Sequence, residues 1–515
     1  MRTTGAWWEQ KWVLIAFILC AAIPLLWPTI PPLVDLPGHM GRYKVQIDGA
    51  MTPSLNAYYA FNWHLIGNLG VDILIIPLAK IFGLELAVKL IVTSIPMMTV
   101  AGMIWIAREV HGRVPPTTLF ALPLAYGHPF IFGFVNFALA MALALLAFAL
   151  WLRLARQKRF RLRAIFFFPI GLILWVCHTY GWGMLGVLAF SAELVRQKDT
   201  GKSFIRSGFN AAQHCLPLIP PLLLMIIWRS GAVGGGTGDW FNLQAKFLWL
   251  TMTLLDRWKY FDIASVLTLC FILYVAARDH RLEFSRNLGA SAFFLLIVFL
   301  IIPRIVFGSA YADMRLTPYL FAIAIIAIRL RPSENASFAK LLALAGLSFL
   351  MIRMIATTIS FFLYSQSYDR ALAVIDHVPA NARLISFVGY QCNNPWFNAR
   401  LGHIPALAMI RKNAFSNDQW AMAGAQLLSV KKSDAEGFIS DPSQIVTENK
   451  CPGENWRTLD TALSTLPRHA FDYILVINPP PFMARNLGNI SPLWTNGRDT
   501  LYHIHHTPSL TKAPQ

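Results

Sequence analysis

Charge is what this chain has least of. Of its 515 residues only 14% are charged and 56% are hydrophobic, whereas a soluble domain carries roughly a quarter charged residues. Acids are scarcer than bases, with 26 Asp and Glu against 44 Lys and Arg. Several catalytic signatures are missing as well. There is no Gly-x-Ser-x-Gly, no His-Glu-x-x-His and no Walker sequence, so serine-hydrolase, zinc-protease and P-loop ATPase chemistry has no support. Gly234-Gly235-Gly236 is no phosphate loop, because no strand precedes it and no Gly-Lys-Ser/Thr follows. It reads as the hinge of a mobile loop that orders over substrate. A small-residue cleavage site is also absent after the first apolar run, which reads as a retained helix.

Long apolar runs are present in number. They span 12–27, 137–152, 288–302, 316–328 and 341–363, and the mean hydropathy is +0.50. Each approaches the roughly 20 residues needed to cross a bilayer, where the backbone must be helical. The net charge of +18 does not point to nucleic acid, because its basic residues cluster in short loops between apolar runs. Arg153, Arg156, Lys158, Arg159, Arg161 and Arg163 form one such cluster, and Arg196, Lys198 and Lys202 another. This is the positive-inside pattern of cytoplasmic loops.

The expected architecture is an α-helical polytopic membrane domain over 1–363, with about 11 transmembrane helices (11–13 possible), and a C-terminal α/β extracytoplasmic domain over 364–515. Parity places 28–63 and 231–262 as outer loops. It turns helix pairs near Gly127-His128-Pro129 and His178-Thr179-Tyr180-Gly181, and leaves the crossings within 64–107 unsettled. The N-terminus is then cytoplasmic and the last domain periplasmic, in a bacterial inner membrane. In that domain Arg383–Val388 and Tyr473–Ile477 read as strands. Of the six cysteines, Cys20, Cys177, Cys215 and Cys270 lie in apolar segments. Cys392 and Cys451 lie in the tail, where an oxidising compartment invites a disulfide.

The first outer loop carries the sharpest chemistry. Asp35 follows Pro31 and Pro32, and His39, Arg42 and Lys44 come within nine residues. A carboxylate held beside a cavity acts as a general base on a hydroxyl, and neighbouring cations hold a phosphate. The competing reading is that Asp35 caps an interfacial helix beginning near Pro37. Asp313 and Arg315 read either as a turn-fixing ion pair or as a phosphate ligand with its partner. His128 beside Phe130, and His178 beside Tyr180, are either interfacial histidines or the lining of a sugar cavity. Lys259, with Arg257, lies between aromatics as an interface anchor or a polyprenyl-phosphate contact. His503, His505 and His506 have spacing suited to a metal, but no acidic or cysteine partner lies close in sequence. No metal or other cofactor is assigned.

The first helix, the long outer loop opening on Asp35, the run Asn68-Leu69-Gly70-Val71-Asp72-Ile73-Leu74-Ile75-Ile76-Pro77-Leu78-Ala79-Lys80-Ile81-Phe82-Gly83 and the turn Ala107-Arg108-Glu109-Val110-His111-Gly112 together resemble the GT-C superfamily. These are membrane glycosyltransferases that take sugars from polyprenyl-phosphate donors. The resemblance implies Asp35 as catalytic base, a polyprenyl-phosphate sugar donor, membrane lipid as surroundings and an acceptor that is glycan, lipid or protein. Some members have paired acids in this loop; Asp35-Leu36-Pro37 has one. Three classes stay open: inverting glycosyl transfer at the periplasmic face, a non-catalytic scaffold for envelope assembly, and a transporter or flippase of a lipid-linked precursor.

Overall fold

The computed structural model describes residues 6–231, 236–306, 308–331, 336–392, 394–420 and 426–506. Gly234 and Gly235 of the proposed hinge lie outside the described residues. The chain divides into two units. One joins Met1–Pro31 to Leu65–Phe362, and the other joins Pro32–His64 to Leu363–Gln515. The expected boundary gave the first outer loop to the membrane domain; the structure instead groups it with the C-terminal residues.

The first unit is helical. Five helices among the described residues are long and apolar enough to cross a membrane: Leu84–His111, Val135–Arg156, Phe160–Cys177, Lys259–Arg278 and Ala336–Ile375, the last of which runs on into the second unit. Shorter apolar helices cover Lys11–Cys20 and Arg286–Ile301. Residues 64–107 resolve into a 13-residue helix, Gly70–Phe82, and the long helix after it, separated by Gly83 at φ 78°. Thirteen residues span about 20 Å, short of a hydrocarbon core of about 30 Å. The helix pair expected over 114–151 differs. Its first half breaks into short turns, Thr118–Ala121, Leu122–Tyr126 and His128–Ile131. Pro115, Pro116, Pro123 and Pro129 remove amide donors there and so end each turn early. Pro217, Pro220 and Pro221 likewise divide the segment over 213–230 into helices Phe204–Cys215 and Pro221–Gly231.

Fully buried ion pairs lie inside this unit, where a lone charge would be costly. Arg163 bonds Glu193 at 3.1 Å, and Arg353 bonds Asp262 at 2.7 Å.

Strands are numbered in chain order: β1 (Tyr59–Phe61), β2 (Leu282–Phe284), β3 (Ile328–Leu330), β4 (Leu384–Gly389), β5 (Leu428–Val430), β6 (Ile445–Thr447), β7 (Arg457–Thr458), β8 (Tyr473–Ile477), β9 (Ile490–Thr495) and β10 (Thr500–Ile504). β2 and β3 pair antiparallel in the first unit. The second unit is built on a six-stranded sheet of order β7-β6-β4-β8-β10-β9. The strands from β7 to β8 run parallel, and β10 and β9 are antiparallel. β4 is buried along its whole length, as a central parallel strand is. Both expected strands fall in this sheet.

The first outer loop completes this unit. β1 pairs antiparallel with β5, in the register Tyr59↔Val430. Val45, Leu55 and Tyr59 share one core with Ile385, Phe387, Met409 and Phe415. The loop helix, Leu36–Asp48, starts with Pro37 in its first turn, where a missing amide costs nothing. Gly38 and Gly41 allow close approach: a Cβ on Gly38 would lie 2.8 Å from the Trp420 ring, and one on Gly41 2.7 Å from Gln419. Cys392 and Cys451 form a disulfide, with Cα atoms 5.5 Å apart.

Candidate functional site

Asp35 occupies the N-cap position of the loop helix, yet its side chain accepts no bond from the first-turn amides. Its carboxylate faces inward instead, 13% exposed, with Oδ1 3.9 Å from Nε2 of His403. Asp441 brings a second carboxylate to the same nitrogen, at 3.8 Å. A second carboxylate, from a segment some four hundred residues on, thus meets the same nitrogen as Asp35.

The segment leading into Asp35 is pinned on both sides. Arg400 donates to Pro32 O at 2.9 Å and lies over the Tyr364 ring at 4.0 Å. Tyr368 Oη lies 3.2 Å from Leu33 O and 2.8 Å from Arg400 O. His39 and Arg42 follow Asp35 at helical spacings of four and seven and so share its face. The His39 ring packs on Trp420, with centroids 5.0 Å apart. Burial, then Arg42 and His403, hold its pKa well below the usual histidine value, so the ring is neutral. Its Nδ1 is buried with no hydrogen-bond partner. Arg42 is buried and donates to Gln426 at 2.5 Å. Lys44 lies nine residues from Asp35, on the opposite face, and pairs with Asp48 at 2.7 Å. It does not join the site.

Sequence reasoning missed His403, Trp420, Asp441 and Asp418. The last is fully buried, and desolvation raises its carboxyl to about 6. It accepts from Ala406 N at 2.9 Å, from Ser416 Oγ at 2.8 Å and from Gln419 at 3.2 Å. Its backbone carbonyl in turn lies 3.0 Å from His403 Nδ1. Ser416-Asn417-Asp418-Gln419 is wholly buried, although four polar residues in a row read as a surface loop.

A second cluster forms in the helical unit. The Arg315 guanidinium lies 4.2 Å from the Phe134 ring, 5.8 Å from Phe137 and 5.7 Å from Tyr180. His178 sits edge-on to Phe137 and caps its own helix, accepting from Tyr180 N at 3.1 Å. Tyr180 donates to Ala312 O at 3.0 Å. Asp313 bonds Lys246 at 3.2 Å, and Lys246 also reaches Phe299 O and Ile302 O. Arg315 bonds Ser309. His128 packs on Phe132, and Lys259 opens its helix beside Tyr260. Asp239 pairs with Arg304. At the chain end, His505 bonds Ser491 at 2.7 Å and His506 bonds Asp472 at 3.0 Å. No group of three or more metal-ligating side chains is assembled among the described residues.

No family model matches the chain, and no curated protein does. Two solved structures are similar to it in shape. One is the crystal structure of ArnT from Cupriavidus metallidurans bound to undecaprenyl phosphate, at 14% identity and a TM-score of 0.48, covering 99% of this chain and 100% of that one. The other is the crystal structure of ArnT from Cupriavidus metallidurans in the apo state, at 13% identity and a TM-score of 0.48, covering 95% of this chain and 97% of that one.

Proposed function

We propose that the protein is a membrane glycosyltransferase that moves a sugar from a polyprenyl-phosphate donor to an acceptor at the periplasmic face, with inversion. Asp35 is the general base: it takes the proton of an acceptor hydroxyl as that oxygen attacks the anomeric carbon. The lipid phosphate leaves with the bonding electrons. Within the helical unit, Arg315, on its aromatic face, and Lys259 are the candidate contacts for a lipid phosphate, Arg315 through two parallel bonds. In the same helical unit, His178 and Tyr180 offer the polar and aromatic contacts that suit a sugar. His39 and Arg42 hold the loop helix and the Asp35 face in register.

The observation that carries this reading is the orientation of Asp35. A carboxylate at an N-cap position normally bonds the first-turn amides; this one makes no such bond and faces His403 instead. The sequence resemblance to GT-C enzymes supplies the reaction class.

The test is sugar transfer in membranes supplied with radiolabelled polyprenyl-phosphate sugars, wild type against Asp35→Asn. A folded variant with transfer reduced by about 100-fold or more is expected. Equal transfer by both removes Asp35 as the base. No transfer by well-expressed wild type from any donor favours the scaffold or transporter reading.

A further inference from the structure

His403 touches more of the candidate site than any single sequence motif suggested. Its side chain is 8% exposed and packs at a tilt against Trp420, with centroids 4.3 Å apart. Nδ1 lies 3.0 Å from the Asp418 carbonyl. A carbonyl only accepts, so Nδ1 carries a proton. That leaves Nε2 as the nitrogen turned toward Asp35 and Asp441. Charged and titratable groups near the ring include these two carboxylates, Asp418 behind it, and His39, which packs on the same Trp420. Asp441 is itself fixed: it accepts from Gln444 at 2.8 Å, and its amide bonds Gln419 O at 3.0 Å.

Taking Asp35 as the base, we propose that His403 is a positioning residue that clears the proton Asp35 acquires. The acceptor O–H bond breaks to Asp35, the new bond to the anomeric carbon forms, and the carbon–phosphate oxygen bond breaks with its electron pair on the phosphate. The proton then passes from Asp35 to Nε2 of His403, where Asp441 balances the imidazolium, and leaves to phosphate or water on product release. No electrons change hands and no co-reactant is needed. The 3.9 Å gap exceeds hydrogen-bond reach by about 1 Å, which one side-chain rotation or one bridging water closes. This gives the loop carboxylate a return path to its basic form without exposing it to bulk solvent.

The experiment uses the full-length protein in membranes with radiolabelled polyprenyl-phosphate sugars, comparing wild type, Asp35→Asn, His403→Gln, His403→Ala and Asp441→Asn. His403→Gln is expected to lower kcat about 10- to 100-fold with little change in KM. Added imidazole is expected to restore part of the activity of His403→Ala. Asp441→Asn lowers kcat in the same sense, which keeps the test decisive if the histidine variants misfold. Unchanged kcat in His403→Gln or Asp441→Asn, beside an inactive Asp35→Asn, overturns the relay and leaves the base standing. A rise in KM alone, or no rescue by imidazole, also overturns it. Wild type that transfers nothing, or Asp35→Asn as active as wild type, removes the base and the relay together.

Discussion

Single residues here work through what burial does to them. Asp418 is held fully buried by three donors, and its carboxyl is raised to about 6 from an ordinary 3.8. A folded state that binds the proton more tightly than the unfolded chain gains stability below the unfolded value and loses it as pH rises through about 6. A displacement of that size is worth roughly 3 kcal/mol. Asp418→Asn cannot ionise, so its melting temperature relative to wild type is expected to improve steadily from pH 4 to pH 7. Parallel melting curves would refute this. His39 acts in the opposite sense, since its lowered pKa gives stability above the usual histidine value that falls away as pH drops. The difference between variant and wild type isolates Asp418 from it. Asp35 was legible as chemistry in the sequence because it opens a loop with cations close by. Its partners were not, because His403 and Asp441 approach it only through the fold.

Elements carry the close packing. The loop helix meets the segment Ser416–Trp420 through two glycines one turn apart, with no room for a Cβ against Trp420 or Gln419. Gly38→Ala is expected to lower stability by about 1–3 kcal/mol and to cut transfer by displacing the ring that His39 and His403 share. Thermal unfolding and the transfer assay read both, and a variant as stable and active as wild type would show that Trp420 moves freely. The Cys392–Cys451 disulfide closes a span of 59 residues. Cys392→Ser with Cys451→Ser is expected to cost about 2–5 kcal/mol, seen as a lower melting temperature. Strands β4 and β8 could be read from the sequence because unbroken apolar runs bounded by turn residues have one good solution. The short turns over 118–131 could not. Their composition is as apolar as a membrane helix, and only the spacing of four prolines tells them apart.

At the scale of the molecule, the second unit is assembled from two separated pieces of chain. The end of the last apolar run at 363 set the boundary of the C-terminal domain at 364, and parity made 28–63 an outer loop of the membrane domain. Val45, Leu55 and Tyr59 nevertheless sit in the same core as β4, β6 and β8. A fragment of 363–506 alone is therefore expected to expose that core and bind a hydrophobic dye. The same fragment fused through a short linker to 32–64 is expected to melt cooperatively. A cooperative transition in the shorter fragment would show that the loop is dispensable. The two-piece construction also sets a clock. Tyr59 bonds Ser416 across 357 residues, and at about 5–20 residues per second of synthesis the loop waits roughly 20–70 s for the chain that will cover it. Throughout that interval its half of the core, from Val45 to Tyr59, is already made while every apolar helix between is still being delivered. During biogenesis this loop is therefore expected to depend on a holding chaperone, and a slowed ribosome would lengthen its exposure.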